Sequence, residues 1–246
     1  FGVDIEPISA AKTRYAIASD FLTADIRGQV CPSRLPRCIL SMLHAHLPTL
    51  VRLPQAPALP GRDINFTYMA TLTDNALARH LLGVDAHIEH PLNLSGYIDA
   101  AQQQMALRLE GDLLEYAGSR YQNLILTASG SPEELSAQLS GITLREESAA
   151  KLDFYATTVG SRINSNVNLQ IRGNTRMDMS LNTAASFADT LGLMKTSIDV
   201  GQSSLSINDT LWQISPAHLS LAGKEIICRN LRVYNADSHI IIDGQA

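Results

Sequence analysis

The sequence predicts a mainly β protein: a long antiparallel meander curled into a trough with an aliphatic inner wall, plus one amphipathic helix and one or two short helices. Three observations predict it. From Ser203 to Gly244 apolar residues fall at every second position: Leu205 and Ile207, Trp212 and Ile214, Leu219 and Leu221, Ile226 and Cys228, Leu231 and Val233, Ile240 and Ile242. Period two marks a strand with one wet face and one apolar face. Turn residues interrupt that run at Asn208-Asp209, Ser215-Pro216, Gly223-Lys224 and Asn235-Ala236-Asp237, so it reads as about six short strands joined by hairpins. Third, the chain is 45% hydrophobic but only 5% aromatic, with one Trp, five Phe and seven Tyr. Sandwich cores lean on large aromatic anchors. Roughly fifteen strands by the period-two count, walled by Leu, Ile, Val, Met and Ala, suit a sheet curled around something other than its own rings.

Residues 1–50 read as strands followed by a helix. Tyr15 and Ile17 alternate with polar neighbours, as do Ala24 and Ile26. Ser33 is placed to cap a helix over 34–47, with Pro36 in its first turn. Ile39, Met42, Leu43 and Leu47 follow at helical spacing and Pro48 ends it. Arg37, Ser41 and His44 make its polar face, and His44 and His46 read as solvated. The helix either docks its Ile39/Leu43 face on the sheet or serves as a gate or membrane-touching element; its few basic residues speak against a membrane. Residues 51–62 are a Pro-rich loop and the best internal boundary. Residues 63–246 read as one continuous β segment. Thr73 caps a short helix, DNALARHLL, closed by Gly83. Ser131-Pro132-Glu133-Glu134 is a turn between strands. Residues 184–193 fit either a short helix or a strand. A loose repeat, an apolar residue, any residue and Gly, recurs at Gly28, Gly96, Gly111, Gly141, Gly173 and Gly244, read as Gly at strand ends.

Several function classes receive no support. Net charge is −5 and no basic patch is present to hold phosphates, so nucleic acid is excluded as a partner. No apolar run approaches the roughly 18 residues of a membrane span. The start, FGVDIEPIS, lacks a basic region and an apolar core and reads as part of a longer protein. Three cysteines make no disulfide framework and have no zinc spacing; Cys228 reads as a small core residue, and Cys31 and Cys38 are either bridged or free. His87, Glu89 and His90 do not share one strand face, so no metal is assigned. No nucleophile elbow, phosphate loop or His-Glu-x-x-His occurs, and the reading is of no enzyme and no cofactor. Trp212 is either an interfacial anchor or a plug in the meander.

SINDTLWQISPAHLSL followed by IICRNLRVYNADSHIIIDG resembles the large TamB proteins of Gram-negative bacteria, in the form found in Bacteroides-like species. SDFLTADIRGQV before a helix ending LHAHLP, and LLGVDAHIEHPLNLSGYID, are similar to the same family. The resemblance implies an internal, periplasmic segment of an inner-membrane-anchored protein, folded as a taco-like β-sheet with a hydrophobic groove. It implies phospholipid as cargo between the inner and outer membranes. The alternative is a scaffold for assembling outer-membrane β-barrels or autotransporters, with a TamA- or BamA-like barrel-assembly partner. A carbohydrate-binding or adhesive protein is a third reading, and the few aromatics oppose it.

The residues expected to line the groove are Met105, Leu107 and Leu109; Val167, Leu169 and Ile171; and Met177, Met179 and Leu181. Each alternates with polar residues facing the other way. Their expected action is collective, replacing water around acyl chains.

Overall fold

The computed structural model describes residues 2–31, 33–53, 64–74, 76, 86–116, 118–145, 147–190, 193–223 and 225–245. Alternating sequence produces strands almost throughout. The first three, β1 (Gly2–Pro7), β2 (Thr13–Ala18) and β3 (Leu22–Gln29), precede the one helix among the described residues, α1 (Leu35–His46). Then come β4 (Asn65–Leu72), β5 (Ala86–Ile88), β6 (Leu92–Asp99), β7 (Gln104–Tyr116), β8 (Ser119–Gly130), β9 (Leu135–Arg145) and β10 (Ser148–Val159). They continue as β11 (Arg162–Arg172), β12 (Met177–Thr190), β13 (Leu193–Val200), β14 (Ser203–Ile207), β15 (Thr210–Ile214), β16 (Ala217–Ala222), β17 (Glu225–Tyr234) and β18 (His239–Gln245).

All eighteen belong to one curved antiparallel sheet. β3 pairs β4 in full register across the Pro-rich region, so one sheet runs on both sides of it. The loop itself lies almost wholly outside the described residues, and the expected DNALARHLL helix lies largely outside them. Three pairs of strands are halves of one: β5 and β6 both lie along β7, β13 and β14 along β12, and β15 and β16 along β17. The eighteen strands therefore fill fifteen positions across the sheet, about 70 Å from edge to edge at roughly 4.8 Å per strand. The edges are β1, paired only with β2, and β18, paired only with β17.

The strand breaks fall side by side. Gly201-Gln202 separates β13 from β14, and Ser215-Pro216 lies beside it between β15 and β16. Next to that, β17 carries a bulge between Cys228 and Leu231, with Asn230 at φ 61°. The Ser215 hydroxyl accepts from the Arg232 amide at 3.2 Å and donates to the Asn230 carbonyl at 3.1 Å. The expected hairpin at Ser215-Pro216 is thus a break within a strand. Pro216 has no amide to give the ladder, and the chain continues in the same direction. Likewise Ile226–Val233 is one bulged strand where two were expected. A second line of breaks runs through residues 89–91, the middle of β7, and Asn123 (φ 50°), the site of a register shift between β8 and β9. Residues 184–190 are strand, the end of β12.

The glycine repeat marks strand ends only in part. Gly173 directly follows β11 and Gly28 and Gly244 are the last residue but one of β3 and β18, whereas Gly96, Gly111 and Gly141 sit well inside strands. Two are fixed by space: a Cβ on Gly28, whose φ is 142°, would collide with the Asn65 carbonyl and Phe66, and one on Gly96 would collide with the Ala106 carbonyl and the Tyr68 ring.

Among the described residues the one cluster of buried hydrophobic side chains lies under the helix, with single small residues such as Thr158, Ser203 and Ala217 buried elsewhere. α1 seats Cys38 and Met42 on Ile64, Phe66 and Ile98, with Ile26, Val30, Leu35, Ile39, Tyr68 and Met105 packed around them. The helix starts differently from expectation. Its N-cap is Arg34, with no side-chain cap bond, and the Ser33 hydroxyl lies 3.5 Å from the Cys31 sulfur instead. Nor are its histidines solvated: His44 Nδ1–H donates to the Val51 carbonyl at 2.5 Å, and His46 Nε2–H to the Ser131 carbonyl at 2.8 Å. The thiols of Cys31, Cys38 and Cys228 are free.

Candidate functional site

Antiparallel register places directly opposed residues on the same face, so the apolar face can be followed strand by strand. Starting under α1, Gly28 opposes Phe66, Phe66 opposes Ile98, Ile98 opposes Met105 and Met105 opposes Gly130. Leu109 opposes Leu126, then come Leu139, Phe154, Val167 and Leu181 in an unbroken row. Further along the strands, Leu152, Leu169, Met179, Leu205 and Trp212 make another, and Ile171 opposes Met177. All nine residues expected to line a groove lie on this one face, Met105 at the edge of the helix-covered cluster and the other eight beyond it. Each is half-buried. Trp212 is half-buried on the same face beside Leu205.

Between Met105's row and Leu109's row lies a row of small residues. Leu107 opposes Ala128, followed by Ala137, Ala156, Ser165 and Thr183. Large side chains flank small ones, which leaves the small row lower. The Ser165 and Thr183 hydroxyls bond each other at 2.6 Å, so neither presents an unpaired polar group to the apolar surface.

Sequence reasoning passed over Leu126, Leu139 and Phe154, which join Leu109 to Val167. The signal was available: Leu124, Leu126 and Ala128 alternate, as do Leu135, Ala137, Leu139 and Gly141. It was diluted by the alanines of the low row and by Gly141.

The opposite face carries the charged and hydrogen-bonded side chains, with Met69, Tyr155, Val159 and Leu211 exposed among them. Asn166 donates to Asn182 at 2.8 Å, Ser129 meets Ser136 at 2.7 Å, and Thr71 donates to Asn93 at 3.0 Å. Asp25 sits between Arg27 and Arg14 at 2.6 and 2.8 Å; hydrogen bonds from both guanidiniums pull its carboxyl down to about 2. Asp199 bridges His218 at 2.7 Å and Arg162 at 2.6 Å, and the bond from His218 lowers its pKa. His87 pairs with Asp74 at 2.6 Å and Glu89 with Arg120 at 2.8 Å. No group of three or more metal-binding side chains converges among the described residues, and no described helix is long and apolar enough to cross a membrane.

Cover over the apolar face changes along the sheet. It is sealed under α1. Beyond Met105 it is half-exposed, and at both edges it is open: Val3 and Ile5 on β1 are 50% and 59% exposed, Ile226 on β17 49%, and Ile240 and Ile242 on β18 56% and 50%. Apart from the α1 cluster, the described apolar residues that are fully buried reduce to Ala217. What stands here is a single-layer antiparallel sheet with one apolar face, a helix seated on part of it, and no second layer among the described residues. Compared with models of known protein families, with curated proteins and with solved structures, the chain matches none.

Proposed function

We propose that the uncovered apolar face is a groove for lipid acyl chains, in a TamB-like protein of outer-membrane biogenesis. One observation carries the reading: among the described residues, over most of fifteen strand positions, no second layer packs against the aliphatic face. Leaving that much apolar surface in water is unfavourable by roughly 25 cal/mol per Å², and contiguous patches of this kind mark binding surfaces. An acyl chain asks for no hydrogen bonds, no charge and no ring stacking, and the face offers aliphatic side chains and methylenes. Phospholipid headgroups stay in water. The reading needs no reaction chemistry and no cofactor.

Native mass spectrometry of the protein purified from bacterial membranes tests it. Retained phospholipid, exchangeable on adding vesicles of phosphatidylethanolamine and phosphatidylglycerol, supports the reading. A lipid-free protein that takes up none from those vesicles sinks it.

A second reading, a scaffold for strands of outer-membrane barrels, is favoured by one feature. The last described strand, β18, carries Ile240, Ile241 and Ile242 all at least half exposed, and a client strand would be captured by pairing along such an apolar strand. If an Ile241→Lys variant loses capture of an unfolded barrel protein while still binding lipid, the scaffold reading gains.

A further inference from the structure

α1 lies on the same face as the open apolar surface, not in a separate core. Met105 touches the α1 cluster, and two residues along the same strand face Leu107 opens the low row of small side chains. The rows of Phe66 and Ile98 continue without a step into the uncovered region. After α1 the chain runs along the same end of the strands. His46 bonds the Ser131 carbonyl, Thr49 donates to the Phe187 carbonyl at 3.3 Å, and Arg52 pairs with Asp189 at 3.3 Å. Residues 35–52 thus stretch along one border of the apolar face from β3 to β12.

The helix depends on that seat. It has twelve residues, no side-chain cap and no acidic residue in its first turn. An isolated helix of about 12 residues is marginal in water, and a missing cap weakens it further. Its docking rests chiefly on Cys38 and Met42, and the segment beyond it on a few exposed or half-exposed polar contacts.

We propose that α1 is a built-in occupant of the apolar face, and that α1 and an acyl chain exclude one another from the surface between β3 and β7. This rests on the acyl-groove reading above. An amphipathic helix and a hydrocarbon chain satisfy the same aliphatic wall in the same way, by covering it. Binding of one therefore opposes binding of the other, reciprocally. His46, Thr49 and Arg52 set how readily α1 lifts, because they tether its far end to the β8–β9 turn and to β12.

Cys38 reports the state of α1. It is buried when α1 is seated and reaches reagent only when α1 lifts. The full chain is treated with N-ethylmaleimide, with and without dansyl-undecanoic acid, whose fluorescence reports binding, and Cys38 labelling is read by peptide mass spectrometry with added N-acetylcysteine as the reference thiol. Saturating probe should speed labelling at Cys38 about tenfold and leave N-acetylcysteine unchanged, since a ligand shifts an opening equilibrium by its differential affinity for the two states. Binding without a change at Cys38 overturns mutual exclusion and leaves the acyl-groove reading standing. Failure of the probe to bind overturns both. A Thr49→Val, Arg52→Ala variant, altered outside the buried cluster, should raise basal Cys38 labelling and probe affinity together. Faster labelling with unchanged affinity overturns the inference.

Discussion

Two regions of the sheet are built from similar sequence and sealed to different degrees. Near β3, β4 and β6, alternating apolar residues meet a helix, and Ile64, Phe66 and Ile98 are 1%, 5% and 7% exposed. Across β13 to β16 residues of the same kind and parity, such as Ile198, Leu205, Trp212 and Leu219, are only half-buried, and on β17 and β18 some stay open, Ile226 at 49% and Ile240 at 56%. Period two selects which face is apolar, but it does not say what covers that face. Stability should therefore concentrate under α1, and the bare end should be where an apolar partner gains most.

The largest contrast is expected from side-chain truncation. Phe66→Ala empties a sealed site and should cost about 3–5 kcal/mol, the range for large-to-small core changes. Ile226→Ala removes methylenes that already face water and should cost under about 1 kcal/mol. Urea unfolding of both variants checks this. Equal costs would mean that the bare end is covered in solution.

The shared apolar-x-Gly pattern gives a second contrast. A Cβ at Gly96 meets the Ala106 carbonyl and the Tyr68 ring, whereas nothing lies within 4 Å of a Cβ at Gly244. Gly96→Ala should cost about 1–3 kcal/mol by overpacking, and Gly244→Ala should be neutral or slightly stabilising. Thermal melts decide it. A tolerated Gly96→Ala would show that Tyr68 moves aside freely.

Charge placed on the half-open stretch sharpens the boundary between the two regions. Leu107→Asp and Leu169→Asp should fold, each at a cost of about 1–2 kcal/mol, because water reaches a carboxylate on an unsealed face and spares it most of the burial penalty. Both should lose retained lipid by native mass spectrometry. If either variant is wholly unfolded, that position belongs to a closed core. If both fold and keep their lipid, they do not touch it.

The smallest effect concerns pH on the polar face. The Asp25 carboxyl is lowered to about 2 from 3.8 by Arg27 and Arg14. A depressed folded pKa contributes stability that is present above about 3.9, the ordinary Asp value, and is lost as pH falls toward 2. The protein should weaken between pH 4 and pH 2 by slightly more than Asp25→Asn does. Parallel acid-unfolding curves would show that the arginines do not favour the charged form.

Much of this comparison could be read from the sequence. The alternation in β7, β11 and β12 identified nine side chains that the register places on one face, and the helical spacing identified a helix that docks, though through Cys38 and Met42 with Ile39 beside them where an Ile39/Leu43 face was expected. Other features depend on partners distant in sequence. Whether Ser215-Pro216 turns the chain or only interrupts a strand is decided by β13 and β17, which β16 and β15 find as neighbours. Gly96 looks like a turn residue until Tyr68, twenty-eight positions earlier, lies across it. His46 looks solvated until the Ser131 carbonyl arrives from eighty-five positions away. The short-range pattern fixes the parity of each strand, and the long-range pairing fixes what that parity meets.

The strand breaks that lie side by side, through Gly201, Ser215 and Asn230 on one flank and through residues 89–91 and Asn123 on the other, have a mechanical consequence. A single layer of ladder hydrogen bonds resists bending evenly only while the ladder is intact. Where adjacent strands interrupt it at the same level, the sheet carries a crease, and bending gathers there. Each crease crosses one flank only, with β10, β11 and β12 unbroken between them, so each flank can hinge while the panel between keeps its ladder. Spin-label pairs spanning a crease should then show broader distance distributions than pairs within that panel, and equal widths would argue for a uniformly stiff shell. Under the acyl-chain proposal, hinging of this kind would admit chains of different thickness without unfolding a strand.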